Sequence, residues 1–261
     1  MSTEDSLGVT WLMIERKTAL RLRVIAVTRI DMRHAATVFS LAAVDLIGKG
    51  KRAAAAVFGA RPDDVEFNDG RFSWRESNRS FDFLELAQEM TRHKLPDDLA
   101  QGIAVVTDNE MHEPVFPNGC AICEIEIDPE SCGLQITRYT SVDDVGRCIN
   151  PLIVDGQTHG AIVQGIGQAL WEQCVVDKSG QPLAGSFMDY GMPRSDRLPS
   201  FTTQIVEVLS PTNPLGIKAG GEGGTTAAPA VIVSAIADAL GVDDIKMPVT
   251  PYRIWRAMQK Q

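Results

Sequence analysis

Apolar residues recur at helical spacing in three long stretches of the chain. Ala35, Val38, Phe39, Ala42, Ala43, Leu46 and Ile47 form one stripe. Alanines carry it past Gly48-Lys-Gly50 to Val57 and Phe58, which predicts a helix over 34–58. Ile162, Val163, Ile166, Ala169, Leu170 and Cys174 form a second stripe, predicting a helix that starts after Gly156-Gln157 and ends near Cys174, with Asn150-Pro151 as a break before it. Val231, Ile232, Ala235, Ile236, Ala239 and Leu240 form the third, stopped by Gly241. Alternation marks strands instead. It appears at Leu20–Ala26, at Val65–Phe67 and Arg71–Trp74 around the hairpin turn Asn68-Asp69-Gly70, and at Phe201–Leu209. Cys120–Ile127 and Leu134–Val142 form a further hairpin pattern around Asp128–Gly133. Ser80 reads as the capped start of a short helix, and Tyr252–Met258 as a closing one. The expected fold class is α+β: two mixed subdomains in which helices pack on small, mainly antiparallel sheets, over 32–110 and 111–261.

Composition narrows the function classes. A chain of 261 residues with 44% hydrophobic and 23% charged residues can bury a real core. The net charge of −9 disfavours nucleic acid, whose phosphates need a basic surface. No uninterrupted apolar run approaches the roughly 20 residues of a membrane span, and Glu4 and Asp5 stand where a secretory signal would carry basic residues. A cytoplasmic protein is the expectation.

The stretch 212–241 carries the sharpest chemistry. Glu222 lies among Gly216, Gly220, Gly221, Gly223 and Gly224, whose lack of Cβ lets the backbone approach a ligand closely. Thr225 and Thr226 are candidate N-caps and Pro229 suits a first turn, so Glu222 is expected on a loop just before a helix N-terminus with backbone donors nearby. Gln157 has a similar context, polar, beside Gly156 and expected just ahead of an apolar helix. Two helix starts aimed at one place would favour an anion. His159, close by, lacks obvious partners and reads as structural.

Cys120-x-x-Cys123 invites a metal reading. On a strand, however, positions three apart face opposite sides, and Cys132 and Cys148 do not form a second close pair, so no protein-held metal is expected. The chain has no Walker loop, no GxGxxG between strand and helix, and no nucleophile elbow.

Several segments together resemble the molybdenum hydroxylases, the family of xanthine dehydrogenase, aldehyde oxidase and the large subunit of aerobic carbon monoxide dehydrogenase. Phe116-Pro-Asn-Gly-Cys120 with Glu124–Pro129 resembles that family's strand and hairpin. Asp144-Val-Gly146, Ile149–Leu152, Gly156-Gln157, Gly160 and Gln164–Leu170 resemble its pterin-contacting segment. Ser186–Tyr190, Asn213–Lys218 and Pro248–Arg256 continue the match, and Gly220-Gly-Glu222-Gly-Gly224 is similar to the loop bearing the catalytic glutamate.

The resemblance implies the C-terminal portion of a molybdopterin-binding oxidoreductase subunit that hydroxylates an aldehyde, an N-heterocycle or carbon monoxide. Glu222 matches the general base that deprotonates a molybdenum-bound hydroxyl, a role that partial burial would suit by raising its pKa. Gln157 matches a pterin-binding glutamine, with Gly156, Gly220 and Gly221 as further cofactor contacts. The cofactor would be molybdopterin or its cytosine dinucleotide form, with the metal held by the pterin dithiolene. An N-terminal part of the large subunit, an iron–sulfur (2Fe-2S) subunit and an FAD subunit are the implied partners, and a homo-oligomer is a further possibility. Residues 1–31, with Asp31 where relatives carry a Gly/Ser-rich loop, read as a non-family leader on a truncated subunit. The competing expectation is a non-catalytic remnant or interaction module that keeps the fold without the cofactor.

Overall fold

The computed structural model describes residues 8–14, 22–27, 32–100, 102–109 and 113–259. They fall into two units, Met1–Pro114 with Thr212–Leu215, and Val115–Pro211 with Gly216–Gln261.

In the first unit, helix α1 (Met32–Phe58) follows the predicted alanine-rich stripe. Ala42, Leu46, Ala53, Ala54, Ala55 and Val57 are buried with Phe72, Leu86 and Met90. Gly50 has a steric reason: a Cβ there would come within 2.3 Å of the Phe72 ring. The hairpin β3 (Val65–Asn68) and β4 (Arg71–Trp74) forms around Asp69 and Gly70, both at positive φ, and a short β5 (Ser80–Phe81) extends it. Phe72 anchors this sheet, 4.6 Å from the Phe67 ring and edge-on at 4.9 Å to Phe83.

The helix expected from Ser80 starts later. Ser80 pairs with Ser73 in the sheet, and Asp82 caps α2 (Phe83–Met90) in a full capping box with Glu85. A carboxylate that accepts from two first-turn amides takes the cap, which leaves Ser80 to the strand. The second sheet of this unit has the order β2-β1-β6, with β1 (Gly8–Ile14), β2 (Leu22–Val27) and β6 (Ala104–Asn109) all antiparallel. Of the expected leader, residues 1–7, 15–21 and 28–31, Asp31 among them, lie outside the described residues.

The second unit is a three-stranded sheet covered by two helices. Strands β7 (Asn118–Ile127) and β8 (Leu134–Asp144) form the predicted hairpin, and β9 (Phe201–Val206) joins β8 in parallel. Helix α3 (Pro151–Leu170) connects these two parallel strands, as such a pairing requires. It begins at Pro151 rather than after Gln157: the Asn150 side chain accepts from the Ile153 amide and Pro151 occupies N1, so the expected break is the cap of the helix. It ends at Leu170, short of Cys174.

Helix α4 (Gly223–Leu240) likewise starts earlier than the Thr225–Thr226 caps implied, which puts Pro229 inside it rather than in its first turn. Its stop is the expected one, Gly241 at φ 62°. Alone among the described helices, α4 is long and apolar enough to cross a membrane. Here Ala228, Ile232, Ile236 and Leu240 are buried in the core with Ile162, Ile166 and Tyr139. Helix α5 (Pro251–Met258) adds Ile254 to that core.

The two helices meet through missing side chains. A Cβ on Gly165 of α3 would lie 2.6 Å from Ala228 Cβ, and one on Gly224 of α4 would lie 2.9 Å from Ile162 N. Pro229 fits here for a related reason. Lacking an N–H, it releases the Thr225 carbonyl, and that oxygen lies 3.2 Å from the Cβ position of Gly165. Gly165→Val is therefore expected to destabilise this unit by about 1–3 kcal/mol through overpacking, read as a lower urea midpoint. Gly160→Ala, where a Cβ meets nothing within 4 Å, should leave the midpoint at or above the wild-type value.

Candidate functional site

The glycine loop that carries Glu222 is fixed by a buried ion pair below it. Strand β8 ends on Asp144, whose carboxylate pairs with Lys218 and accepts from the backbone amides of Gly146 (2.9 Å) and Val208 (3.0 Å). Gly146 is required twice over, by its φ of 64° and because a Cβ there would meet Gly216 O at 2.3 Å, and it bridges to Ile217. The carboxylate thus binds the chain just after β8 to two later points, Val208 and Lys218. Burial acts to raise the Asp144 carboxyl, but the Lys218 ammonium and the two amides outweigh it and hold it below the ordinary carboxylate range. Two residues after Lys218 comes Gly220, whose Cβ position is 2.9 Å from Val145 Cγ1, so this loop lies close on the residue that follows β8.

Glu222 stands at the N-cap of α4 with φ −116° and ψ 1° and makes no side-chain cap bond. The expectation that it precedes a helix N-terminus is met by the backbone, and the first-turn amides of α4 have no side-chain cap. The expected partial burial is not found, since Glu222 is exposed. Its carbonyl is held by Thr226 through both the amide and the hydroxyl, each at 3.1 Å.

Gln157 is not ahead of a helix but in the second turn of α3, because Asn150 sets the start of that helix six residues earlier than Gly156. It still reaches the loop: Gln157 Nε2 is 3.7 Å from the Cβ position of Gly221. The side chain expected to contact a cofactor is thereby brought beside the residue that precedes Glu222. Gly156, on the same helix, is exposed, and a Cβ there would touch nothing.

Other candidates separate cleanly from this site. Cys120 is exposed and Cys123 buried, so the two thiols diverge, and burial pushes Cys123 up to about 11, protonated at neutral pH. Among the described residues no three His, Cys, Asp or Glu side chains are placed to hold a metal ion. His159 reaches Thr203 at 3.3 Å and Asp155 at 3.6 Å, and its ring stands edge-on to Phe201, which ties α3 to β9.

A cleft of about 420 Å³ lies past the C-terminal end of α3, lined among others by Trp171, Tyr190, Arg194, Arg197 and Thr250. At ~1.5 Å per residue it starts roughly 20 Å along the helix from Gln157. Its two arginines are matched by Asp189 and Asp196, so it has no net charge to offer a ligand. The glycine loop is the better candidate, because it gathers donors: an uncapped helix N-terminus, the Gln157 amide and bare backbone at Gly220 and Gly221. That donor set fits a group rich in hydrogen-bond acceptors, as a pterin is.

The sequence profile of the molybdopterin cofactor-binding domain matches residues 30–199. The chain belongs to that family, within the molybdenum hydroxylases. It is 37% identical over 225 residues to the 6-hydroxypseudooxynicotine dehydrogenase complex subunit gamma of Paenarthrobacter nicotinovorans, covering 84% of this chain and 28% of that protein. It is 33% identical to the nicotine 6-hydroxylase large subunit of the same organism, covering 78% and 26%. Among solved structures, reconstituted CO dehydrogenase from Oligotropha carboxidovorans superposes with a TM-score of 0.75 at 26% identity, covering 85% of this chain and 28% of that one. Quinoline 2-oxidoreductase from Pseudomonas putida 86 (TM-score 0.77, 23% identity, 98% and 38% covered) shares the fold. The chain thus spans little more than a quarter of the length of the curated relatives it matches.

In the sequence Asp144 and Lys218 stand out only as members of segments that resemble the family; Lys218 lies between Ile217 and Ala219, far from Asp144, and only their meeting in space gives them a role. Lys218→Met should cost about 3 kcal/mol by stranding the Asp144 carboxylate, measured by urea unfolding. The folded-state pKa of Asp144 is depressed, so its stabilisation is complete above the unfolded value of about 3.9 and is lost as pH falls through the folded value. Asp144→Asn is accordingly expected to narrow the stability difference between pH 6 and pH 3, and an unchanged difference would remove Asp144 as its source.

Proposed function

We propose that this chain is the C-terminal portion of a molybdopterin-binding hydroxylase subunit, and that Glu222 is the general base of its site. The observation that carries the reading is the closeness of Gln157 to Gly221, its Nε2 3.7 Å from where a Cβ on that glycine would stand, which sets an amide donor beside the glutamate loop. Bound molybdopterin would supply the metal centre at which a substrate carbon is oxidised. The residues of this chain would do the rest. The Gln157 amide and the backbone at Gly220 and Gly221 would hold the pterin, with Gly156 flanking Gln157 on α3. The Glu222 carboxylate, free of any capping bond, would take up a proton from the attacking oxygen.

Since the chain spans about 28% of its relatives, the site would be completed by an N-terminal part of the large subunit, with iron–sulfur and FAD subunits as electron acceptors. The relatives above 30% identity include two whose names refer to nicotine-derived compounds, which favours an N-heterocycle as substrate over carbon monoxide. No nucleic acid partner is proposed, and the cytoplasm is the proposed compartment.

A second reading, a non-catalytic module, is favoured by the exposure of both Glu222 and Gln157 within this chain. Co-expression with an N-terminal part and the two electron-transfer subunits, followed by metal analysis, separates the two: the enzyme reading expects molybdenum and pterin in the assembled complex, the module reading expects neither. In that complex Glu222→Gln should abolish hydroxylation, a loss of at least about 10²–10⁴-fold for a general base, with molybdenum content unchanged. Turnover retained by the variant would overturn the base assignment. Gln157→Ala should instead lower pterin occupancy.

A further inference from the structure

Glu222 has no side-chain bond of its own, so its direction is set by the first turn of α4. That turn is tied to α3 by one hydroxyl. Thr225 Oγ1 lies 2.9 Å from the Ala161 carbonyl oxygen and 3.3 Å from Gln164 Oε1. A hydroxyl has a single proton, and a carbonyl can only accept, so the proton goes to Ala161. Gln164 can then bond to the same hydroxyl only with its –NH₂ turned toward it.

Gln157, Ala161 and Gln164 are spaced i, i+4, i+7 and share one face of α3. Along that face, Gln157 lies near Gly221 without a bond to it, while Ala161 and Gln164 meet the Thr225 hydroxyl, so the hydroxyl is the bonded contact between this face and the first turn of α4. Thr225 lies three residues beyond Glu222, on the same side of the turn. Around it the helices touch through Gly165, Gly224 and Ala228, small surfaces that permit close approach but offer no directional bond.

We infer that Thr225, with Gln164, is a positioning residue: its hydroxyl fixes Glu222 relative to Gln157 by locking the first turn of α4 to α3. The inference rests on the proposed role of Glu222, yet the lock itself can be tested without any cofactor. Hydrogen exchange on the chain alone, comparing wild type with Thr225→Val, Thr225→Ser and Gln164→Leu, reads it directly. Loss of one net hydrogen bond is expected to speed exchange of the Thr226–Ala228 amides about fivefold in the Val variant. The second half of α4 should be unaffected, Ser should restore wild-type exchange, and Gln164→Leu should show a smaller rise. Unchanged exchange in Thr225→Val, or a Ser variant that behaves like Val, overturns the lock.

In the assembled complex Thr225→Val should lower kcat about tenfold while KM and molybdenum content stay at wild-type values, with rescue by Ser. Faster exchange with wild-type kcat would show a tie that positions nothing, and would overturn the inference. Full turnover by Glu222→Gln would overturn the base assignment instead, and would leave the exchange result standing.

Discussion

The close approach of α3 and α4 is the constraint on which the rest of the second unit depends. With Gly165 opposed to Ala228 and Gly224 opposed to Ile162, the two backbones come nearer than side chains would allow. The first turn of α4 can therefore sit directly against the middle of α3, with Thr225 on Ala161 and Gln164 and with Gln157 near the Gly221 that precedes Glu222. The apolar core of Ile162, Ile166, Ile232 and Ile236 supplies the burial that drives the helices together. The glycines decide at what distance the approach stops.

Below the helices, the Asp144–Lys218 pair performs a complementary task. A hydrophobic pair of the same size could fill the space, but it would not accept from the amides of Gly146 and Val208 at once. The pair selects one arrangement of three backbone segments, and the glutamate loop follows directly from one of them. The glutamate loop thus follows the ion pair on one side and meets α3 on the other. The exposed faces of Glu222 and Gln157 are the part left to a ligand or to further polypeptide.

Much of this was legible in the sequence because periodicity reports burial. The stripe Ile162–Leu170 and the stripe Val231–Leu240 are the faces that meet in the core, and the alternation of Cys120–Ile127 correctly separated the two thiols. The glycine loop was legible as a place where Cβ atoms are excluded. Helix starts were less so. Asn150 looked like a break because Asn-Pro is common in turns, while here it is a cap, and Pro229 looked like a first-turn residue because its cost inside a helix is usually high. At Asn150 one local signal, the cap, prevailed over another, the turn, whereas at Pro229 the packing of α4 on α3 outweighed the local signal. The link from Thr225 to Gln164 joins residues far apart in sequence, so no local pattern could announce it.

The parallel pairing of β9 with β8 has a consequence for how this unit assembles. The β7–β8 hairpin is local and can form early, whereas β9 must wait for α3 and the long segment after it to be laid down. Closing that long connection carries an entropic cost, and the contacts that compensate for it include His159 with Thr203 and Tyr139 with Phe201, both made to residues of β9. The end of β8 that carries Asp144 takes its Val208 partner from the segment just after β9. The site's floor therefore depends on a pairing between segments distant in sequence rather than on the local hairpin.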